Sequence, residues 1–131
     1  MGSIMQTLEK TGNILPLLHE IRHALEGLLA TGQTTVIDLQ AMPLMPSELI
    51  ELKEILGSGE VSAELHALGK STIQETTCSG VWWIVHYNIE EKVISQTIEI
   101  CHIPAILMAQ NADIQMGLQQ LLEQLSNLGG V

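Results

Sequence analysis

One segment constrains this chain more than any other. Glu75 to Tyr87 reads ETTCSGVWWIVHY and holds both tryptophans and the only tyrosine of a sequence without phenylalanine. Read as a strand, Val81 to Tyr87 puts Trp83 on one face with Val81, Val85 and Tyr87. Trp82 falls on the other face with Ile84 and His86. A strand that is apolar on both faces is either covered on both sides or presents one face to a partner. Of the two indoles, Trp82 is the one expected at a protein interface, where tryptophan is a favoured anchor.

The remaining pattern supplies the frame for that strand. Asn13 can cap a helix from Ile14, with Pro16 tolerated in its first turn. Leu15, Leu18, Ile21, Leu25, Leu28 and Leu29 recur at helical spacing, and Gly32 ends the run. Thr34 to Leu39 is rich in β-branched residues and reads as a strand. After Pro43 and Pro46, Ser47 can cap a second helix, with Glu48 favourably placed against its dipole. Leu49, Leu52, Ile55 and Leu56 form its stripe, and Gly57 stops it. Val61 to Ala67 alternates as a half-buried strand.

Thr72 to Cys78 is a further strand, interrupted by Ser79-Gly80 as a bulge or tight turn before Val81. Lys92 to Ile103 is a long strand with Ile94, Ile98 and Ile100 facing one way. Pro104 opens a final helical stretch that Asp113 recaps. Ile114, Leu118, Leu121, Leu122, Leu125 and Leu128 carry its stripe. The expected fold is α+β in the order α-β-α-β-β-β-α: an antiparallel sheet of about four strands with helices packed mainly on one face. With 131 residues the chain fits a single domain over 1–131, of which 1–12 reads as a frayed lead-in.

The formal net charge is −10, which opposes nucleic-acid phosphates and anionic headgroups. The five basic residues (Lys10, Arg22, Lys53, Lys70 and Lys92) are scattered. Nucleic acid is therefore not an expected partner, whereas a basic protein surface is compatible. No run of apolar residues approaches a membrane span, and no secretory signal or myristoylation pattern is present, so a cytoplasmic location is expected. Cys78 and Cys101 lie outside any C-x-x-C motif and read as two reduced thiols. No cofactor is implied.

His19-Glu20-Ile21-Arg22-His23 is a literal H-E-x-x-H. On a helix His19 and His23 lie one turn apart, and Glu20 could serve as a general base, the arrangement of zinc peptidases. Catalytic zinc requires a third protein ligand, and no downstream motif supplies one. His66, His86 and His102 are single and strand-borne. Both helical histidines also fall on the polar side. A zinc hydrolase built on His19, Glu20 and His23 is therefore the minor alternative, and a non-enzymatic chain is the expectation.

An ordered set of motifs carries a resemblance. It runs through Ile37-Asp38-Leu39, Met42-Pro43-Leu44, Leu56-Gly57, Gly59-Glu60-Val61 and Leu68-Gly69. It continues with Glu75-Thr76, Gly80-Val81-Trp82-Trp83, His86, Ile98-Glu99-Ile100 and Ile103-Pro104. Over roughly residues 14 to 125 the sequence resembles the conserved C-terminal domain of the HupH/HyaF family of hydrogenase expression and maturation proteins. Many members are about twice as long, with an additional N-terminal half, and typical members look aromatic at the Cys78 position. The resemblance implies an accessory or chaperone role in nickel–iron hydrogenase assembly, with the iron–sulfur small subunit and other maturation proteins as partners. It transfers no catalytic residue. It marks Asp38, Glu75, Thr76, Trp82, Trp83, His86 and Glu99 as the candidate partner-binding set. A homodimer that buries the tryptophan strand against itself is a further reading.

Overall fold

The computed structural model describes residues 12–130. The lead-in expected over 1–12 lies, apart from Gly12, outside them. Among the described residues three helices, α1 (Ile14–Thr31), α2 (Pro46–Leu56) and α3 (Asn111–Asn127), accompany five strands. These are β1 (Thr35–Asp38), β2 (Ser62–Ala67), β3 (Gly69–Glu75), β4 (Val81–Tyr87) and β5 (Val93–Ile100). The sheet is wholly antiparallel in the order β1-β5-β4-β3-β2. The α+β class stands, with five strands where about four were expected. The extra strand arises because Ser79-Gly80 is a tight turn and not a bulge. Val81 N–H donates to the Cys78 carbonyl at 3.0 Å and reverses the chain. Gly80 sits there at φ 91°, a conformation that L side chains avoid. A Cβ at this position would also press on Leu25 at 3.3 Å.

The tryptophan strand β4 is the middle strand of the sheet, and five consecutive residues, Val81 to Val85, are buried. Its first face carries Val81, Trp83 and Val85 against Ile98 and Ile100 of β5 and the inner sides of α1 and α2. Ile14, Leu17, Ile21, Ala24 and Leu28 are the buried residues of α1, spaced three and four apart. The expected stripe was rotated from this one: Leu15 and Leu29 are exposed, while Leu18 and Leu25 are only partly buried. The reason is that leucines surround α1 on more than one side, and small Ala24 marks the contact line without announcing it.

Two further expectations are corrected at helix starts. Asn13 is the N-cap of α1 but makes no side-chain cap bond. Its amide donates instead to the Pro43 carbonyl at 2.8 Å. The N-cap of α2 is Met45, not Ser47, because the helix already starts at Pro46, whose missing N–H suits a first turn. Glu48 is buried rather than merely near the dipole. One carboxylate oxygen accepts from Met45 N–H at 3.1 Å and the other from Asn13 N–H at 3.3 Å, which ties the starts of α1 and α2 together.

In β5 the expected alignment of Ile94 with Ile98 and Ile100 fails. His86 pairs with Ser95 but Tyr87 pairs with Val93, so Ile94 is the extra residue of a bulge and is exposed. At the C-terminal end, Pro104 precedes only a short 3-10 turn, Ala105–Leu107. The helix proper starts at Asn111 with Gln110 as its N-cap, and Asp113 lies within its first turn. No residue of α3 is buried, so two of the three described helices, α1 and α2, pack on the sheet.

Trp83 is 4% exposed, and its indole N–H has no hydrogen-bond partner among the described residues. Trp83→Ala is expected to cost about 3–5 kcal/mol through lost burial and an open cavity. Trp83→Phe is expected to cost distinctly less, since it removes an unpaired polar group along with part of the ring. Urea unfolding of the two variants beside the parent checks the order.

Candidate functional site

Strand alternation and register place five of the seven candidate residues on one face of the sheet, the face turned away from α1 and α2. Trp82 is the centre. It lies directly opposite Glu99 on β5 and Glu75 on β3, so the two glutamates flank the indole in one row across three strands. Such cross-strand neighbours have Cβ atoms about 4.5–5.5 Å apart. The adjacent row runs from Asp38 through Thr97 and Ile84 to Ile73. His86 and Ser71 form the next, with the His86 Nδ1 2.6 Å from the Ser71 hydroxyl oxygen.

The indole itself is not open. Trp82 is 5% exposed, and its Nε1–H donates to the Cys101 carbonyl at 3.2 Å. It packs with Ile73, Ile84 and Cys101, and Leu107 of the 3-10 turn closes over this cluster. The expectation that Trp82 is the outward anchor is thereby corrected, because residues 101–107 fold back over the second sheet face. Trp83 lies in the core on the opposite face. Thr76 is 1% exposed, and its hydroxyl lies 2.9 Å from the Val81 carbonyl and 3.2 Å from the Cys78 N–H, where it braces the β3–β4 turn. Asp38 accepts from Gln40 N–H at 3.0 Å and starts a short 3-10 turn at the far side of the sheet. β4 has a neighbour on each side, so a second copy cannot add to it edge to edge.

Glu75, His86 and Glu99 remain half-buried and reachable around the covered indole. Among the described residues neither glutamate has a Lys or Arg within ion-pairing distance. Burial raises the Glu99 pKa above the ordinary carboxylate value, and the nearby His86 opposes the shift. Burial likewise pushes the Cys101 thiol up to about 11, and the Glu99 charge adds to it. Among the described residues the ionised face is therefore under-compensated negative charge over an apolar floor. Such a face gains from a cation brought by a partner.

A feature that motif reading missed adjoins this face. Glu75 also lines a cleft of about 400 Å³ with Leu25, Leu28, Leu29, Gly80 and His102. Leu29 is 87% exposed there. The sequence signal was present in the surplus of leucines in α1, more than one contact stripe can bury. The zinc alternative finds less support in the geometry. His19, Glu20 and His23 are all exposed on α1. Among the described residues no three His, Cys, Asp or Glu side chains converge closely enough to hold a metal.

Glu99→Gln tests the electrostatics. A raised folded-state pKa means that the folded chain holds the proton more tightly than the unfolded one. That contribution to stability is present at low pH and is lost as pH rises through the folded pKa. The variant is therefore expected to melt higher than the parent at neutral pH, with the gain vanishing in acid, as thermal unfolding at several pH values reads directly. The thiols separate in the same preparation: exposed Cys78 should alkylate in the native chain, and buried Cys101 only after denaturation.

Comparison with known proteins places this architecture. The family model described as "HupH hydrogenase expression protein, C-terminal conserved region" matches residues 12–128. The chain is 27% identical over 103 residues to the hydrogenase expression/formation protein HupH of Rhizobium leguminosarum bv. viciae, covering 79% of this chain and 36% of that protein. It is 28% identical over 124 residues to HoxQ of Azotobacter vinelandii, covering 94% and 43%. With the hydrogenase-1 operon protein HyaF of Escherichia coli the identity is 26% over 111 residues, covering 85% and 38%. The chain thus spans well under half the length of these relatives. The solved structure of hydrogenase expression protein HupH from Thiobacillus denitrificans superimposes with a TM-score of 0.86 at 43% identity, over 88% of this chain and 97% of that one. With nearly all of its described residues matched in sequence and most in structure, the chain belongs to the HupH hydrogenase expression family, through that family's C-terminal conserved region.

Proposed function

We propose that this domain is a non-enzymatic accessory module for maturation of a nickel–iron hydrogenase, acting in the cytoplasm by binding the iron–sulfur small subunit before assembly. Family membership supports the hydrogenase setting, since the relatives are named as hydrogenase expression and formation proteins. The single observation that carries the binding mode is the row Glu75–Trp82–Glu99, two carboxylates with no Lys or Arg partner among the described residues, beside an apolar cleft. A partner surface that fits offers a Lys or Arg to the carboxylates and an apolar side chain to the leucines of the cleft. The chain's charge of −10 assists the encounter through long-range attraction to a basic surface.

Capture of the small subunit on immobilised domain, from a host induced for hydrogenase synthesis, tests the proposal. Glu75→Ala and His86→Ala touch half-buried side chains and should leave the fold intact. Loss of one charged contact at such a site is expected to weaken capture by about tenfold or more. Undiminished capture by both folded variants would sink the site assignment. Metal analysis of the same purified protein separates the zinc-hydrolase reading, which requires about one tightly held zinc per chain.

A further inference from the structure

We propose that α3 is a homodimerisation element, in which its apolar stripe seats against the same stripe of a second copy of this chain. The inference stands apart from the small-subunit reading and rests on different residues. Ile114, Leu118, Leu121, Leu125 and Leu128 are spaced four, three, four and three apart, the a/d seam of a two-stranded coil. All five are exposed, from 42% at Leu125 to 84% at Leu128. A helix of 17 residues, none of them buried, would be marginal alone, so some surface must cover its apolar side.

Charge identifies the occupant. Chains of net charge −10 repel one another, and self-association is opposed least where the surface is nearly neutral. Within α3 the charged residues are Asp113 and Glu123, and in the heptad phase of the five apolar positions both fall on the outside of the seam. The flanking positions are Gln115, Gly117, Leu122 and Gln124. No like-charge pair therefore faces across a two-fold contact, whether parallel or antiparallel. A basic partner, by contrast, finds no carboxylate to pair with along this seam.

The area is adequate. A leucine gaining about 2 kcal/mol at 25 cal/mol per Å² buries about 80 Å². Six residues per chain, the five of the seam and Leu122, then bury about 1,000 Å² over two copies, the lower bound for a specific interface. Ile103, Ile106 and Met108 are also exposed, in the segment leading into α3.

Sedimentation equilibrium of the whole chain, from micromolar to submillimolar concentration, tests the proposal. A monomer–dimer equilibrium is expected, and Leu121→Glu combined with Leu125→Glu should weaken it by about 100-fold or more. Because α3 contributes nothing to the buried core, the double variant keeps the near-UV signal of its tryptophans. Leu121 is the midpoint of the seam, so Leu121 meets its counterpart in either orientation. Leu121→Cys in a Cys78→Ser background should form an interchain disulfide on mild oxidation. A parent that stays monomeric throughout, a dimer indifferent to the paired glutamates, or a failure to cross-link overturns the proposal.

Discussion

Everything in this domain depends on β4 being covered on both faces. As the third of five strands, it has its backbone groups taken up by β3 on one side and β5 on the other. Its side chains then decide what must lie above and below. Five consecutive buried residues at about 1.5–3 kcal/mol each contribute on the order of 10 kcal/mol as an upper estimate, comparable to the whole stability of a small domain. One cover is the pair α1 and α2, whose starts are fixed to each other through Glu48. The other is thinner, a few residues of 101–107 with Leu107 at the point of contact. That inequality is what makes one face a core and the other a site.

Much of this was legible in the sequence. The alternation of VWWIVHY assigns each indole to its own face, and β-strand register brings Glu75 and Glu99 beside Trp82. What stayed hidden was non-local. Nothing near Trp82 in sequence says that Cys101 and Leu107 will return to shield it, because that cover comes from a loop whose path is set by Pro104 and the end of β5. Likewise the phase of α1 is ambiguous in the sequence, since Leu15 and Leu29 match the helical period as well as Leu17 and Leu28 do. Glu48 looked like a dipole partner because a sequence shows the neighbour in the helix and not the Asn13 amide arriving from another one. Strand count erred through a single feature, the positive φ of Gly80, which turns an apparent interruption into a hairpin.

The exposed helix illustrates a different limit. Amphipathic spacing states that Ile114 to Leu128 has to be covered, but not by which molecule. Taken as part of one domain, the stripe reads as core. In the folded chain α1 and α2 cover one sheet face and the 101–107 segment shields Trp82 on the other, and no residue of α3 is buried. The seam of α3, with Asp113 and Glu123 both on its outer side, bears no charge, and this separates it chemically from the carboxylate face, so the two surfaces suit different occupants.

The two indoles also give the domain a built-in optical label. They stand back to back on one strand, and with a single tyrosine and no phenylalanine they dominate its near-ultraviolet absorption and emission. Their surroundings differ: Trp82 donates a hydrogen bond and lies between two carboxylates, whereas Trp83 is enclosed by aliphatic groups with the Lys53 ammonium 5.9 Å from its ring centre. One strand therefore carries separate emitters for the two sides of the sheet. With either ring replaced by phenylalanine, the other becomes a single-site probe, of the acidic face in one case and of the helical layer in the other.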